Sequence, residues 1–146
     1  MAEAVKEAKI AGRMGEVPIG AVIVLEGRII ARGHNLKEHT KDATDHAEIV
    51  TIKKAVAKTG HWRHLQEAAL YVTIEPCPMC AGAIVQSRIK TLVFGAKDPK
   101  AGAAGSTVNL LQNQVYNHSV EVVSGVLADE CAALMQEFFQ KLRIKD

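Results

Sequence analysis

Residues 68–96, AALYVTIEPCPMCAGAIVQSRIKTLVFGA, decide the fold. The opening AALYVTI is an apolar run too short for an independent helix and reads as a buried strand. Pro78 then suits the first position of a helix, where its fixed φ is already helical and its missing amide proton costs nothing, so PMCAGAIVQS reads as a small-residue helix. TLVFGA, residues 91–96, is a second apolar strand. Strand, helix and strand in succession make a crossover unit, the connection that parallel neighbours in one sheet require.

Working outward, PIGAVIVLEGRIIARGHN at residues 18–35 reads as two strands around a Glu26-Gly27 turn. Its β-branched Val22, Ile23, Val24, Ile29 and Ile30 argue against helix, and the result is a hairpin. Ala4, Val5, Ala8 and Ala11 recur at helical spacing within Ala2 to Met14. Leu36 to Thr44 is polar and reads as a loop. Thr44 or Asp45 then caps a helix through Glu48, Ile49, Ile52 and Val56 to a stop at Gly60, which puts His46 in its first turn. KDPKAGAAGS, residues 97–106, is a glycine-rich loop, VEVVSG a further strand, and Leu127 to Arg143 an amphipathic closing helix with Leu134, Met135 and Phe138 on one face. A hairpin followed by crossover units predicts a three-layer α/β/α domain, a single unit over residues 1–146, with a mixed sheet of about five strands.

Composition narrows the function classes. A chain of 146 residues with 48% hydrophobic content encloses one core. No apolar run approaches the roughly 18 residues that span a bilayer, and the start lacks the charge and apolar order of a secretion signal. The expected setting is cytoplasmic, with no membrane partner. Three cysteines cannot build a disulfide scaffold and leave thiols free for metal. A net charge of +2 neither demands nor excludes a polyanionic partner.

Cys77 and Cys80 stand as C-x-x-C at a helix start, where the helix dipole and free amides favour thiolates, and His46 begins another helix. If the two openings face each other, the imidazole is a third ligand for zinc. Structural zinc sites close with four protein ligands, whereas three leave a position for water whose pKa falls to about 7. Cys131 is no fourth ligand on this reading: beside Leu134 and Met135 it is a small buried hydrophobe. His34, His39, His61, His64 and His118 are scattered over loops and edges. A redox pair would account for C-x-x-C but leaves His46-Ala47-Glu48 unexplained, and a structural zinc clip is the other alternative. Glu48 near the open position would act on the reaction rather than ligate; as an isolated residue it is equally a first-turn acid that the helix dipole favours.

The pattern H-x-E followed by P-C-x-x-C, here His46-Ala47-Glu48 and Pro76 to Cys80, resembles the zinc-dependent nucleobase deaminases of the cytidine/deoxycytidylate deaminase superfamily, a superfamily with a documented signature of this form. Within it the chain is most similar to the bacterial tRNA-specific adenosine deaminases, through EVPIGAVIV, GHN, HAEI, LYVTIEPCPMCAGAI, SRIKTLVFGAKDPKAGAAGS and GVLADECAALMQEFF, from Glu16 nearly to Arg143. The resemblance implies a cytidine-deaminase-like fold and a hydrolase acting on the C–N bond of a cyclic amidine, converting adenosine to inosine at the wobble position of a tRNA anticodon. It implies one Zn2+ per subunit on His46, Cys77 and Cys80, zinc-bound hydroxide as nucleophile, and Glu48 as proton shuttle. Asn35 matches a position that hydrogen-bonds the purine, though an asparagine after Gly33-His34 also suits a turn. Ala47 matches one whose backbone lines the pocket, and Val17, Pro18 and Ile19 either line that pocket or pack in the core.

The partner implied is an anticodon stem-loop, whose partly unstacked bases make extrusion of the target cheap. Asp98 and Lys100, with Lys97, would lie at the RNA, as would Lys141, Arg143 and Lys145 after Phe138-Phe139. The same basic residues could be a solvated helix end. A homodimer is implied as well. The rival reading is a deaminase of a free base, guanine or cytosine, which keeps the zinc residues and needs no RNA surface; a non-enzymatic RNA-binding module with structural zinc is the third.

Overall fold

The computed structural model describes residues 1–145, the last by its backbone alone, so the basic group expected at Lys145 lies outside the described residues. Five strands form one sheet: β1 (Gly20–Leu25), β2 (Arg28–His34), β3 (Ala69–Ile74), β4 (Thr91–Ala96) and β5 (Glu121–Val123), in the spatial order β2-β1-β3-β4-β5. β1 pairs antiparallel with β2 and with β3, while β3–β4 and β4–β5 are parallel. The mixed sheet is therefore as the sequence predicts. Glu26 and Gly27 both take positive φ, 53° and 75°, so the β1–β2 turn is the two-residue mirror-image type whose twist suits the flanking strands.

Six helical segments accompany the sheet among the described residues: α1 (Ala2–Arg13), the one-turn α2 (Lys37–Thr40), α3 (Ala47–Thr59), a 3-10 turn at Trp62–Leu65, α4 (Pro78–Gln86) and α5 (Ala128–Lys145). α3 and α4 bury Ala47, Ile52, Ala55, Ala81, Ile84 and Val85 against Ile23, Leu70, Val72, Leu92 and Phe94 of the strands. Each large side chain withdrawn there from water contributes about 1.5 to 3 kcal/mol. α1 and α5 cover the other face through a smaller cluster of Val5, Ile74, Ala96 and Cys131. Cys131 is fully buried, the small core residue expected of it. Gly20 lets α1 lie directly on β1, because a Cβ there would collide with the Ala4 carbonyl and the Ala8 amide.

Two expectations need correction. Leu36 to Thr44 is not all loop, since Lys37–Thr40 forms a helical turn held by the Thr40 amide and hydroxyl donating to the Leu36 carbonyl. Neither Thr44 nor Asp45 caps α3. The Thr44 hydroxyl is committed to Asp42, and His46 is the capping residue, one place ahead of the first turn. Among the described residues no helix is long and apolar enough to cross a membrane.

Candidate active site

α3 and α4 touch on one face of the sheet. Each begins with a candidate ligand at its capping position: His46 has φ −67° and ψ 158°, Cys77 φ −73° and ψ 172°. A capping side chain normally turns back to accept from the helix's own amides. Neither does so here, which leaves imidazole and thiol free to face each other across the two helix openings. Pro78 starts α4, and Cys80 lies three residues beyond the cap in the same first turn.

The sulfurs of Cys77 and Cys80 each lie 3.6 Å from His46 Nδ1, and the three donor atoms lie within 4.8 Å of one another. Donors about 2.3 Å (sulfur) and about 2.0 Å (nitrogen) from one tetrahedral ion stand about 3.5 Å apart, so the donor set fits zinc dimensions. The three donors also shift one another's protonation. The Cys80 thiol's hydrogen bond, opposed by burial and helped by His46, lowers Cys77 to about 4. The same bond, with burial, pushes Cys80 upward. Hydrogen bonding to Cys77 raises His46 in turn. The other five histidines are engaged elsewhere: His34 with Glu7, His39 with Glu16, His61 accepting from the Arg63 amide, His64 with the Thr59 carbonyl and His118 with the Ile89 carbonyl.

Glu48 is 4% exposed. Burial pushes its carboxyl up to about 7, and the charge of Cys77 adds to this, while its own amide, His46 and Cys80 pull only part of the way back. Ala47, fully enclosed, holds the first helical position, where an α-helix leaves amides without internal acceptors. Behind them Gly33 of β2 lets α3 approach, since a Cβ there would collide with the Thr51 hydroxyl.

The remaining predicted residues are placed more plainly. Asn35 is buried at the end of β2, and its Oδ1 accepts from the Lys37 amide at 3.1 Å, so the turn role weighed for it is real. Asp98 spends its Oδ1 on the amides of Lys100 and Ala101 at 3.0 and 3.1 Å, shaping the loop it belongs to. Lys100 is exposed in a surface groove with Ile74, Met135, Gln136 and Phe139, which joins the glycine-rich loop to α5. Phe138 is half-buried and Phe139 exposed, their rings edge-on at 5.4 Å. Pro18 is buried and Ile19 packs against both core clusters, so their surroundings are those of packing residues.

Two buried glutamates were not singled out from sequence. Glu75 accepts from the amides of Asp98, Ala104 and Ser106 at 3.0 to 3.1 Å and from the Ser106 hydroxyl. Burial works to raise its carboxyl, but these donors outweigh it and hold it below the ordinary value. Glu16 accepts from the amides of Glu38 and His39 at 3.1 and 2.8 Å and pairs with the His39 ring at 2.6 Å. It pins α2 beside Asn35. Position was the available signal for both: Glu75 stands between the apolar strand and Pro76, and Glu16 two residues before Pro18 at the head of another apolar segment.

The family model for MafB19-like deaminases matches residues 1–143. The chain is 56% identical over 145 residues to the tRNA-specific adenosine deaminase of Bacillus subtilis strain 168, covering 99% of this chain and 89% of that one. A solved structure from a study of A-to-I editing by tRNA:A34 deaminases superposes with a TM-score of 0.88 at 47% identity, over 92% of this chain and 96% of the other. The guanine deaminase of Nitrosomonas europaea superposes at 0.82 with 23% identity, over 94% and 81%, a likeness of fold.

Proposed function

The chain belongs to the MafB19-like deaminase family, within it to the tRNA-specific adenosine deaminases, and on that premise we propose that it hydrolyses adenosine to inosine at the wobble position of a tRNA anticodon. The observation that carries the reading is the convergence of His46, Cys77 and Cys80 beside a buried Glu48, in a chain 56% identical to such an enzyme. The likeness to a guanine deaminase at 23% identity supports the free-base alternative less.

His46, Cys77 and Cys80 would hold one zinc ion per subunit. Bound there, zinc supplies Lewis acidity that makes water nucleophilic near neutral pH. Glu48 takes a proton from the attacking water and delivers it to the ring nitrogen beside carbon 6. It then carries a second proton to the amino group, which leaves as ammonia as the carbonyl forms. One water is consumed and one ammonia released. Asn35 Nδ2 orients the purine and the Ala47 backbone lines the pocket, while Asp98 and Lys100 meet nucleotides beside the target. The reading includes a homodimer in the cytoplasm.

An anticodon stem-loop carrying adenosine at the wobble position is expected to yield inosine and stoichiometric ammonia, faster than free adenosine, guanine or cytosine. Turnover of a free base with an inert stem-loop would select the alternative. Light scattering in solution tests the dimer.

A further inference from the structure

The 97–106 loop carries Asp98 and Lys100, yet its small residues 101–105 offer few side chains with which to hold themselves in place. The loop is held instead from beneath, by the two residues that precede Cys77. Pro76 accepts the Ala103 amide through its carbonyl at 2.8 Å. Glu75, 3% exposed, gathers the amides of Asp98, Ala104 and Ser106 together with the Ser106 hydroxyl. The chain keeps room for this carboxylate, because a Cβ on Gly102 would collide with it. All four donors come from the loop, and hydrogen bonds to an ionised acceptor are about twice as strong as neutral ones.

We infer that Glu75 is a positioning residue for the reaction: its buried carboxylate fixes the glycine-rich loop to the metal-ligating turn, so that Asp98 and Lys100 meet the flanking nucleotides at a set offset from Cys77. This rests on the reading of the site as a tRNA deaminase. It assigns Glu75 no contact with the reacting atoms, so its loss acts on substrate engagement and not on the chemical step. An amide in its place has a single acceptor oxygen and sets its own N–H groups against the loop's donors.

The test uses the full chain with Glu75→Gln, equal in shape, and Ser106→Ala, which removes one donor. Bound zinc, kcat and KM on the anticodon stem-loop, and amide hydrogen exchange are measured. For Glu75→Gln the expected result is a KM raised about tenfold, kcat within about twofold, zinc retained, and exchange at Asp98, Ala104 and Ser106 faster by at least about tenfold, as loss of bonds to a charged acceptor requires. Exchange within α4 stays unchanged. Ser106→Ala moves KM in the same direction by less, and adds little on top of Glu75→Gln. Unchanged KM despite faster exchange, or a fall in kcat that tracks lost zinc, overturns the positioning role. Unchanged exchange in variants of an active parent overturns the anchoring and the positioning role with it, and leaves the functional reading standing. A parent inert toward the stem-loop overturns the functional reading and the positioning role with it.

Discussion

Glu48 and Glu75 are the same residue type, buried to nearly the same degree at 4% and 3% exposure, and each lies two residues from a metal-ligand candidate. Their carboxyls are nonetheless driven in opposite directions, Glu48 up to about 7 and Glu75 below the ordinary value. Burial is the largest influence on both, so it does not distinguish them. The difference is in the donors. Glu75 meets four from one loop, which replace the water it has lost; Glu48 has only its own amide and the Cys80 thiol, and the charge of Cys77 repels it while His46 offsets part of that. A buried carboxylate surrounded by donors becomes a fastener, and one with too few to offset its burial is ready to exchange a proton.

Removing the ion should have the largest effect, because it takes away the reaction that Glu48 serves while leaving the Glu75 anchor in place. Dialysis against a chelator is expected to bring inosine formation below detection, with recovery on adding one equivalent of zinc and none on adding magnesium, whose preference is for oxygen ligands. Glu48→Gln comes next. Turnover is expected to fall by about a thousandfold, within the range for a lost acid–base group, while zinc content by atomic absorption stays at one per chain. Equal losses of kcat in Glu48→Gln and Glu75→Gln would erase the distinction between the two carboxylates.

Stability should reverse the ranking. Glu75→Ala strands several loop donors and is expected to cost about 1 to 3 kcal/mol, read as a lower urea midpoint. Glu48→Gln removes a desolvated acid and should leave that midpoint unchanged or higher. The smallest effect belongs to Glu16, a second fastener. Burial would raise its carboxyl, but the His39 ring and the amides of Glu38 and His39 hold it below its ordinary 4.5. A folded-state value below the unfolded one stabilises above pH 4.5 and is lost as pH falls through the folded value. Glu16→Gln is therefore expected to be about 1 kcal/mol less stable at neutral pH and to converge with the parent as pH falls through the folded value, by urea titration across that range.

The elements that set the fold were legible because their signals are local. The apolar strands 69–74 and 91–96, Pro78 at the start of α4 and Gly60 in the left-handed cap of α3 each depend on near neighbours. The convergence of His46, Cys77 and Cys80, a group that could hold a metal ion, was legible because two lie in one motif and the third in another recognisable one. The caps were harder: Thr44 is a good capping residue by type, but its hydroxyl had a nearer partner in Asp42. Glu75 and Glu16 escaped for a different reason. Their partners lie 22 to 31 residues away and most are backbone amides, which every residue possesses and no composition reveals. Asn35 and Asp98 show the same limit, since the turn bonds of their own oxygens lie beneath any contact with RNA.

Gly20 has a consequence for anyone who would redesign the scaffold. With the Ala4 carbonyl and Ala8 amide pressed against its α-carbon, the first helix cannot be shifted or resurfaced on its inner side without disturbing β1. The segments at 36–40 and 97–106 are fastened from outside that contact, each by its own acid. Retargeting toward other nucleobases should therefore proceed by grafting those two segments as exchangeable cassettes, with the amino-terminal helix treated as an immovable foundation.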